Sequence, residues 1–350
     1  MAAIWAARTR PGTRVIALDG AAKLGAKILV AGGGRCNVTH DFVSQDAYAG
    51  SSKNAIKKVL KRFDVPETVN FFSEIGVELK REANGKLFPV TDNARTVLEA
   101  LLRTTSDCGV EIAHPRRIES IEPIDGGFSL AGTWGRITAR RVILATGGKS
   151  LPKSGSDGAG YQIAVALGHT VTPLITPALV PLLLPDGHLL TSLSGISADV
   201  RLTLLNSAEQ PLQTVDGAVL CTHFGVSGPA VLDISRYWVR AVHDDPNTSL
   251  TVNWLPNETF ASVDAQLARS PKLSPLRWLD GRLVDRLSRA LCGSAGIDPV
   301  APMGRLTRQE RQALARTLVS YPLPITGTRG FTFAEVTAGG VPLTEIDLKT

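Results

Sequence analysis

The chain has 350 residues, of which 43% are apolar and 20% charged, and its net charge is +6. That length and apolar share suit two domains, or one large domain with an insertion, and exclude a disordered chain. The positive charge is mild and scattered, and aromatics are 5% with no interleaving of rings and basic groups, so no nucleic-acid partner is expected.

Ala2 to Arg8 reads as the end of a helix, which Pro11 and Gly12 stop. Thr13 to Asp19, TRVIALD, reads as a short buried strand ending in an acid. At the end of the second strand of a dinucleotide-binding unit such a carboxylate takes the ribose hydroxyls; a strand-end aspartate that caps its own turn is the competing reading. The glycine-rich phosphate turn that should precede this strand is not in the sequence. Lys27 to His40, KILVAGGGRCNVTH, is the most informative stretch. Its apolar run, Ile28 to Val30, reads as strand-like and empties into Gly32, Gly33 and Gly34. Consecutive glycines are costly to order and are kept where backbone passes close to a ligand, or they form an ordinary turn. Arg35, Cys36 and Asn37 follow at once, offering a fixed cation, a small thiol and an amide.

Two amphipathic helices are expected over Lys53–Phe63 and Pro66–Ile75, then a hairpin in VELKREANGKLFPV turning at Asn84 and Gly85. A helix opening at Asp92 follows, then strands at Val110–Ala113 and Arg117–Ile121 and a hairpin through Gly126 and Gly127. Arg141 to Ala145 has the pattern of a buried parallel strand, stopped by Thr146, Gly147 and Gly148. Such a strand end lets backbone approach a cofactor at the carboxyl edge of a sheet, or is a plain strand-to-loop turn. A helix from Gly158 to Leu167 follows, capped by Ser156 or Asp157.

From Thr172 the texture changes. Pro173, Pro177, Pro181 and Pro185 forbid a regular central strand, so the segment reads as an extended crossover into a second domain. Strands are expected at Val200–Leu205, Gly217–Thr222 and Ser249–Trp254, and helices at Pro229–Ala241, Phe260–Leu267 and between Trp278 and Leu318. Ser227 reads as the N-cap before Pro229, and His223 either faces a ligand or packs in its turn, the second being commoner. Phe331 to Thr350 holds a further strand and a turn at Gly339 and Gly340. The cysteines, Cys36, Cys108, Cys221 and Cys292, are far apart and form no CxxC, so neither a disulfide framework nor a metal site is expected. No apolar run reaches the roughly 18 residues that span a bilayer, and the first residues do not read as a signal peptide, so a cytoplasmic protein without a membrane partner is expected.

Five segments, GGGRCNVT, ATGGKS with GSDGAGY, PALVPL, THFGVSGPA and VTAGGVPL, occur in that order. Together they resemble the YhiN/HI0933-like flavoproteins over nearly the whole chain. Members of that family are described as NAD(P)/FAD-dependent oxidoreductases, many of them labelled aminoacetone oxidases and some described as reducing enone-type steroids. The resemblance implies an α/β fold: a Rossmann-like, three-layer, mostly parallel FAD-binding domain over 1–177 and 329–350, with an inserted α+β substrate domain over 178–328. It places Asp19 at the ribose, and Gly33, Gly34, Arg35, Cys36 and Asn37 along the FAD. Ile118 is placed with its backbone at the adenine, and Ala145, Thr146 and Gly147 at the adenosine and pyrophosphate end. It implies hydride or electron transfer between a small organic substrate and NAD(P)H or another acceptor. Arg35 is then expected to steady negative charge on phosphate or reduced flavin, and Cys36 to pack rather than react. The family's opening strand with its glycine turn and its closing flavin segment are not in this sequence. The chain therefore reads as truncated at both ends, an internal piece or a misdrawn gene, and is expected to hold FAD weakly or not at all. The alternative is a non-catalytic remnant without flavin.

Overall fold

The computed structural model describes residues 1–50 and 52–348; Ser51, Lys349 and Thr350 lie outside the described residues, and with them the last two positions of the segment expected over 329–350. The chain divides into two compact units, Met1–Pro173 with Gly339–Thr350, and Leu174–Ala338.

The first unit runs α1 (Ala2–Thr9), β1 (Ile16–Leu18), α2 (Ala26–Val30), β2 (Thr39–His40), α3 (Lys53–Leu60), α4 (Val65–Glu74), β3 (Leu79–Arg81), β4 (Lys86–Pro89) and α5 (Ala94–Asp107). It continues through β5 (Glu111–Ala113), β6 (Ser120–Ile124), β7 (Gly127–Gly132), β8 (Gly135–Ala139) and α6 (Ala159–Ala166). β1 and β5 pair in parallel, Ile16 with Glu111 and Leu18 with Ala113. The helices between them form the long crossover that a parallel pair requires. α4 starts where its sequence says: the Asp64 carboxylate accepts from the Glu67 N–H at 2.9 Å and Glu67 reaches back to the Asp64 N–H at 2.9 Å. This reciprocal cap satisfies two of the N–H groups a helix start leaves open. α5 begins one residue later than expected. Asn93 is its cap, while Asp92 takes a positive φ of 50° and pairs with Lys80. Ile4, Phe71, Phe72, Ile75, Val97 and Ala100 form the core, with Phe71 and Phe72 edge to face at 5.4 Å. β6, β7 and β8 make a small antiparallel sheet, turning at Gly126 and Gly127 as the sequence predicts.

Two expected strands are not strands. Ile28–Val30 belongs to helix α2, with the Leu29 N–H bonded to Gly25 O at 3.0 Å. Three apolar residues carry no usable period, and here helical geometry turns Ile28 and Leu29 to the core and leaves Val30 55% exposed. Arg141–Ala145 is irregular, and Ile143 is 64% exposed. Among the described residues no strand hydrogen-bonds to it, and an apolar run without a neighbouring strand has no ladder to join.

The second unit contains β9 (Thr176–Ala178), β10 (Leu182–Leu183), β11 (Ser197–Leu205), β12 (Pro211–Thr222), β13 (Gly225–Ser227), α7 (Pro229–Asp244) and β14 (Ser249–Asn253). α8 (Phe260–Ala268), α9 (Pro275–Leu279), α10 (Asp285–Ser294), α11 (Arg308–Val319), β15 (Tyr321–Leu323), β16 (Gly327–Thr328) and β17 (Val336–Ala338) complete it. Seven strands form one antiparallel sheet in the order β15-β14-β11-β12-β13-β10-β16. β11 alternates strictly, Val200, Leu202 and Leu204 pointing inward, and α7 lays Val231, Ile234 and Trp238 into the same core. The proline-rich run does enter this sheet: β10 is a two-residue central strand fitted between Pro181 and Pro185, whose missing N–H groups keep it short. Ser227 is in β13 and does not cap α7; the cap position is Gly228.

The close fit of β13 against β10 depends on Gly225. A Cβ there would stand 2.3 Å from Leu182 O and 2.9 Å from Leu184 N, both backbone atoms. Gly225→Ala is expected to cost about 2–3 kcal/mol, the range of an overpacked core site. Chemical denaturation of the intact protein, with the slope held constant, measures it.

Candidate active site

The parallel pair ends at Asp19. Its N–H donates to Ala113 O at 3.2 Å, and its carbonyl accepts from the Arg116 N–H at 2.7 Å, which brings residues 116–118 alongside. Asp19 Oδ1 accepts from the Ala21 N–H at 2.7 Å. The carboxylate therefore caps its own turn with one oxygen while the exposed side chain presents the other outward.

The glycine triad follows α2. Gly32, Gly33 and Gly34 all have positive φ, at 57°, 69° and 86°. The first two serve different ends. A Cβ on Gly32 would meet Asn37 N at 2.7 Å and the Phe88 ring at 2.8 Å, whereas one on Gly33 meets nothing within 4 Å. Gly32 is required by packing; Gly33 presents bare backbone to open space. Cys36 is buried in the core with Phe71 and Phe72, and burial pushes its thiol pKa up, away from a reactive thiolate. Asn37 is exposed. Arg35 turns towards the β3–β4 hairpin, donating to Glu82 Oε1 at 2.6 Å, with Asp92 Oδ1 at 3.6 Å and its guanidinium 4.0 Å from the Phe88 ring centre. Its charge is spent on two carboxylates. Arg35→Ala is accordingly expected to lower the thermal midpoint slightly by loosening the hairpin, and to change the affinity of any FAD bound at the glycine triad little. Parallel melting and FAD titration separate the two effects.

Lys27 links α2, which precedes the glycine triad, to the loop before α6. From α2 its Nζ donates to Ser150 O at 3.1 Å, to Ser150 Oγ at 2.9 Å and to Ser156 Oγ at 3.2 Å. All three acceptors are neutral, and burial pulls the lysine pKa down. A second tie runs from Arg117 Nη2 to Asp157 Oδ2 at 2.7 Å. Burial works to raise the Asp157 pKa, but the Ala159 N–H and Arg117 together hold it below the ordinary value. Asp157 thus supports the start of α6 from one position outside the cap, Gly158. The loop between is tightly seated: a Cβ on Gly147 would stand 2.9 Å from Ser156 Oγ, and one on Gly160 1.9 Å from Thr146 Oγ1. Ala145, Thr146 and Gly147 are exposed, and Ile118 packs with Ile121, Leu130 and Ile163.

Asp19, Gly33, Asn37, Thr146 and Gly147 are therefore exposed polar or bare-backbone positions of one unit, with Ala145 exposed beside them, and bonds from Lys27 to Ser150 and from Arg117 to Asp157 tie neighbouring segments of that unit. Bare backbone, a cation without a carboxylate partner and a strand-end acid fit an anionic ligand with a vicinal diol. Sequence reasoning missed Lys27, Ser150 and Arg117. The signal for Lys27 was its place one helical turn ahead of the glycines, hidden while that turn was read as a strand. A cleft of about 780 Å³ lies in the second unit, rimmed by Asp199, Glu258, Asp280 and Asp285 around Arg282. It includes none of the expected site residues, and its acidic rim repels a dinucleotide.

The family model described as HI0933-like protein Rossmann domain matches residues 1–350. A 3-dehydro-bile acid delta(4,6)-reductase of Clostridium scindens is 32% identical over 350 residues, covering 99% of this chain and 85% of the relative. A ribosomal RNA dihydrouridine synthase of Escherichia coli is 32% identical over 346 residues, covering 97% of this chain and 82% of its own. Its counterpart from Haemophilus influenzae is 30% identical over 349 residues, with 97% and 82% covered. Among solved structures, NikD, an unusual amino acid oxidase essential for nikkomycin biosynthesis, aligns with 12% identity over 91% of this chain and 94% of its own, at a TM-score of 0.29 that carries no argument.

Proposed function

The chain belongs to the HI0933-like Rossmann-domain family, and from that premise we propose that it is a flavin-dependent oxidoreductase whose first unit holds FAD. The observation that carries this is the tie made by Lys27, which runs from α2, the helix that leads into the first glycine bend, to Ser150 and Ser156 in the loop before α6. In this reading the free Asp19 oxygen takes the ribose hydroxyls and the backbone of Ile118 meets the adenine. Ala145, Thr146 and Gly147 lie at the adenosine and pyrophosphate end, and Lys27 supplies positive charge beside them. Gly33, Gly34 and Asn37 run along the cofactor, with Arg35 and Cys36 holding that backbone in place from behind. A bound flavin supplies two-electron transfer as hydride; the chain's part is position and electrostatics.

One relative is named a 3-dehydro-bile acid delta(4,6)-reductase, which supports an unsaturated small organic compound as substrate here, with NAD(P)H or another small redox partner. The test is anaerobic. Protein loaded with FAD should be bleached by NADH or NADPH and recover its colour on addition of an α,β-unsaturated ketone. Absence of any saturable FAD binding, weak binding included, defeats the flavin reading; bleaching without recovery by any enone, with FAD in excess, defeats the substrate class.

Composition argues against a nucleic-acid partner, but two relatives are named as ribosomal RNA dihydrouridine synthases, and they support a second reading in which the substrate is RNA. Saturable RNA binding at micromolar protein, falling steeply with salt, distinguishes it from the small-molecule reading.

A further inference from the structure

The second unit contains a guanidinium that lies against two aromatic rings and bonds no acceptor among the described residues. Arg329 follows β16, where its N–H donates to Pro181 O at 3.1 Å. Its guanidinium carbon lies 3.4 Å from the Phe333 ring centre and 4.3 Å from that of Phe224. Phe224 belongs to THFGVSGPA, and Arg329 and Phe333 to the stretch leading into VTAGGVPL, two segments that the flavin reading leaves without a role. Among the described residues no carboxylate or other acceptor bonds the Arg329 side chain.

Arg8 shows what such a group holds elsewhere in this protein. It too lies against two rings, 5.8 Å from Trp5 and 5.6 Å from Phe71. Its fork is filled by Glu74, at 2.9 Å to Oε1 and 3.2 Å to Oε2. Arg329 is stacked more closely and has no such acid. A guanidinium packed against two rings has already lost part of its rotamer freedom, so less is lost when it binds. Rings offer no hydrogen-bond acceptor in the guanidinium plane, so its in-plane row of N–H donors stays available and matches the two oxygens of a carboxylate. Exposed Phe333 and half-buried Phe224 leave the pair open at the surface, and exposed His223, edge to face with Phe224 at 5.0 Å, adds a polar group beside it.

We propose that Arg329, set between Phe224 and Phe333, binds the carboxylate of a small organic acid. The site is independent of the flavin and is tested without it. Benzoate is titrated into the intact protein while the backbone amides of Phe224 and Phe333 are followed by NMR. A saturable shift is expected, with a Kd on the order of millimolar for so small a probe. Arg329→Lys keeps the charge but not the planar fork, and should weaken benzoate at least about tenfold with an otherwise unchanged amide spectrum. Phe333→Leu, which keeps an apolar side chain and loses the ring, should weaken it by a smaller factor. Wild-type affinity in Arg329→Lys, or no saturable shift in the wild type, overturns the proposal. Inorganic phosphate binding more tightly than benzoate overturns the assignment to carboxylates.

Discussion

Gly33→Ala is expected to leave the protein folded and to strip it of flavin, whereas Gly32→Ala is expected to damage the fold itself. Both positions have positive φ, so each substitution carries a backbone cost of roughly 1–2 kcal/mol. At Gly33 nothing is added, because the new methyl group meets no protein atom. At Gly32 the methyl collides with the Asn37 N–H and the Phe88 ring, adding about 1–3 kcal/mol of overpacking. The order reverses for the ligand. If the Gly33 backbone lies against the cofactor, the same methyl group occupies the cofactor's place, and affinity should fall roughly 30- to 200-fold, which is about 2–3 kcal/mol. Urea denaturation without ligand and FAD titration of the folded variants measure the two columns. Equal loss of affinity and stability at both positions would mean that Gly33 has no partner outside the protein.

Lys27→Met is the second large effect. The lysine holds three neutral oxygens, so its removal frees the loop at Ser150 and Ser156 and deletes a cation that no internal carboxylate balances. Hydrogen bonds to a charged group contribute about 1.5–3 kcal/mol, so flavin dinucleotide affinity should fall on the order of 10- to 100-fold. If Lys27 lies beside the diphosphate, as proposed, the dependence of that affinity on salt should flatten as well. Lys27→Arg separates the two roles. It restores the charge and the salt dependence, but a planar fork cannot meet three oxygens arranged around an ammonium, so affinity returns only in part. A Lys27→Met protein with the salt slope intact would reduce the lysine to a strut.

The parts of the fold that could be read from the sequence are those whose signals are local. The hairpin that Asn84–Gly85 writes between apolar runs stands where expected, and the helix expected from Pro66 starts one residue earlier, at Val65, because Asp64 and Glu67 cap it reciprocally. The alternation of Val200, Leu202 and Leu204 carries a period that only a strand satisfies. Ile28–Val30 was too short to carry one, and Gly25, whose left-handed backbone sets the helical turn going, lies outside the apolar run. Arg141–Ala145 has a strand's composition, but pairing is a property of neighbours, which composition does not record. The glycines of the site were legible because glycine has few other uses in such a row. What they are for was not: the division between Gly32 and Gly33 depends on Phe88, more than fifty positions on. Arg35 drew attention as the cation beside the glycines, yet Glu82 and Asp92 claim it, while the acceptors of Lys27 are neutral and lie more than 120 positions away.

The most direct trial is an amide NMR titration of the intact chain with FAD, readable whether binding is tight or weak. Saturable shifts are predicted at Lys27, Gly33, Gly34, Asn37, Ile118 and Thr146–Ser156, with residues 197–205 and 249–285 unmoved. Shifts gathered around Arg282 and Asp285 instead, or none that saturate at either glycine bend, would contradict a flavin site built by Lys27.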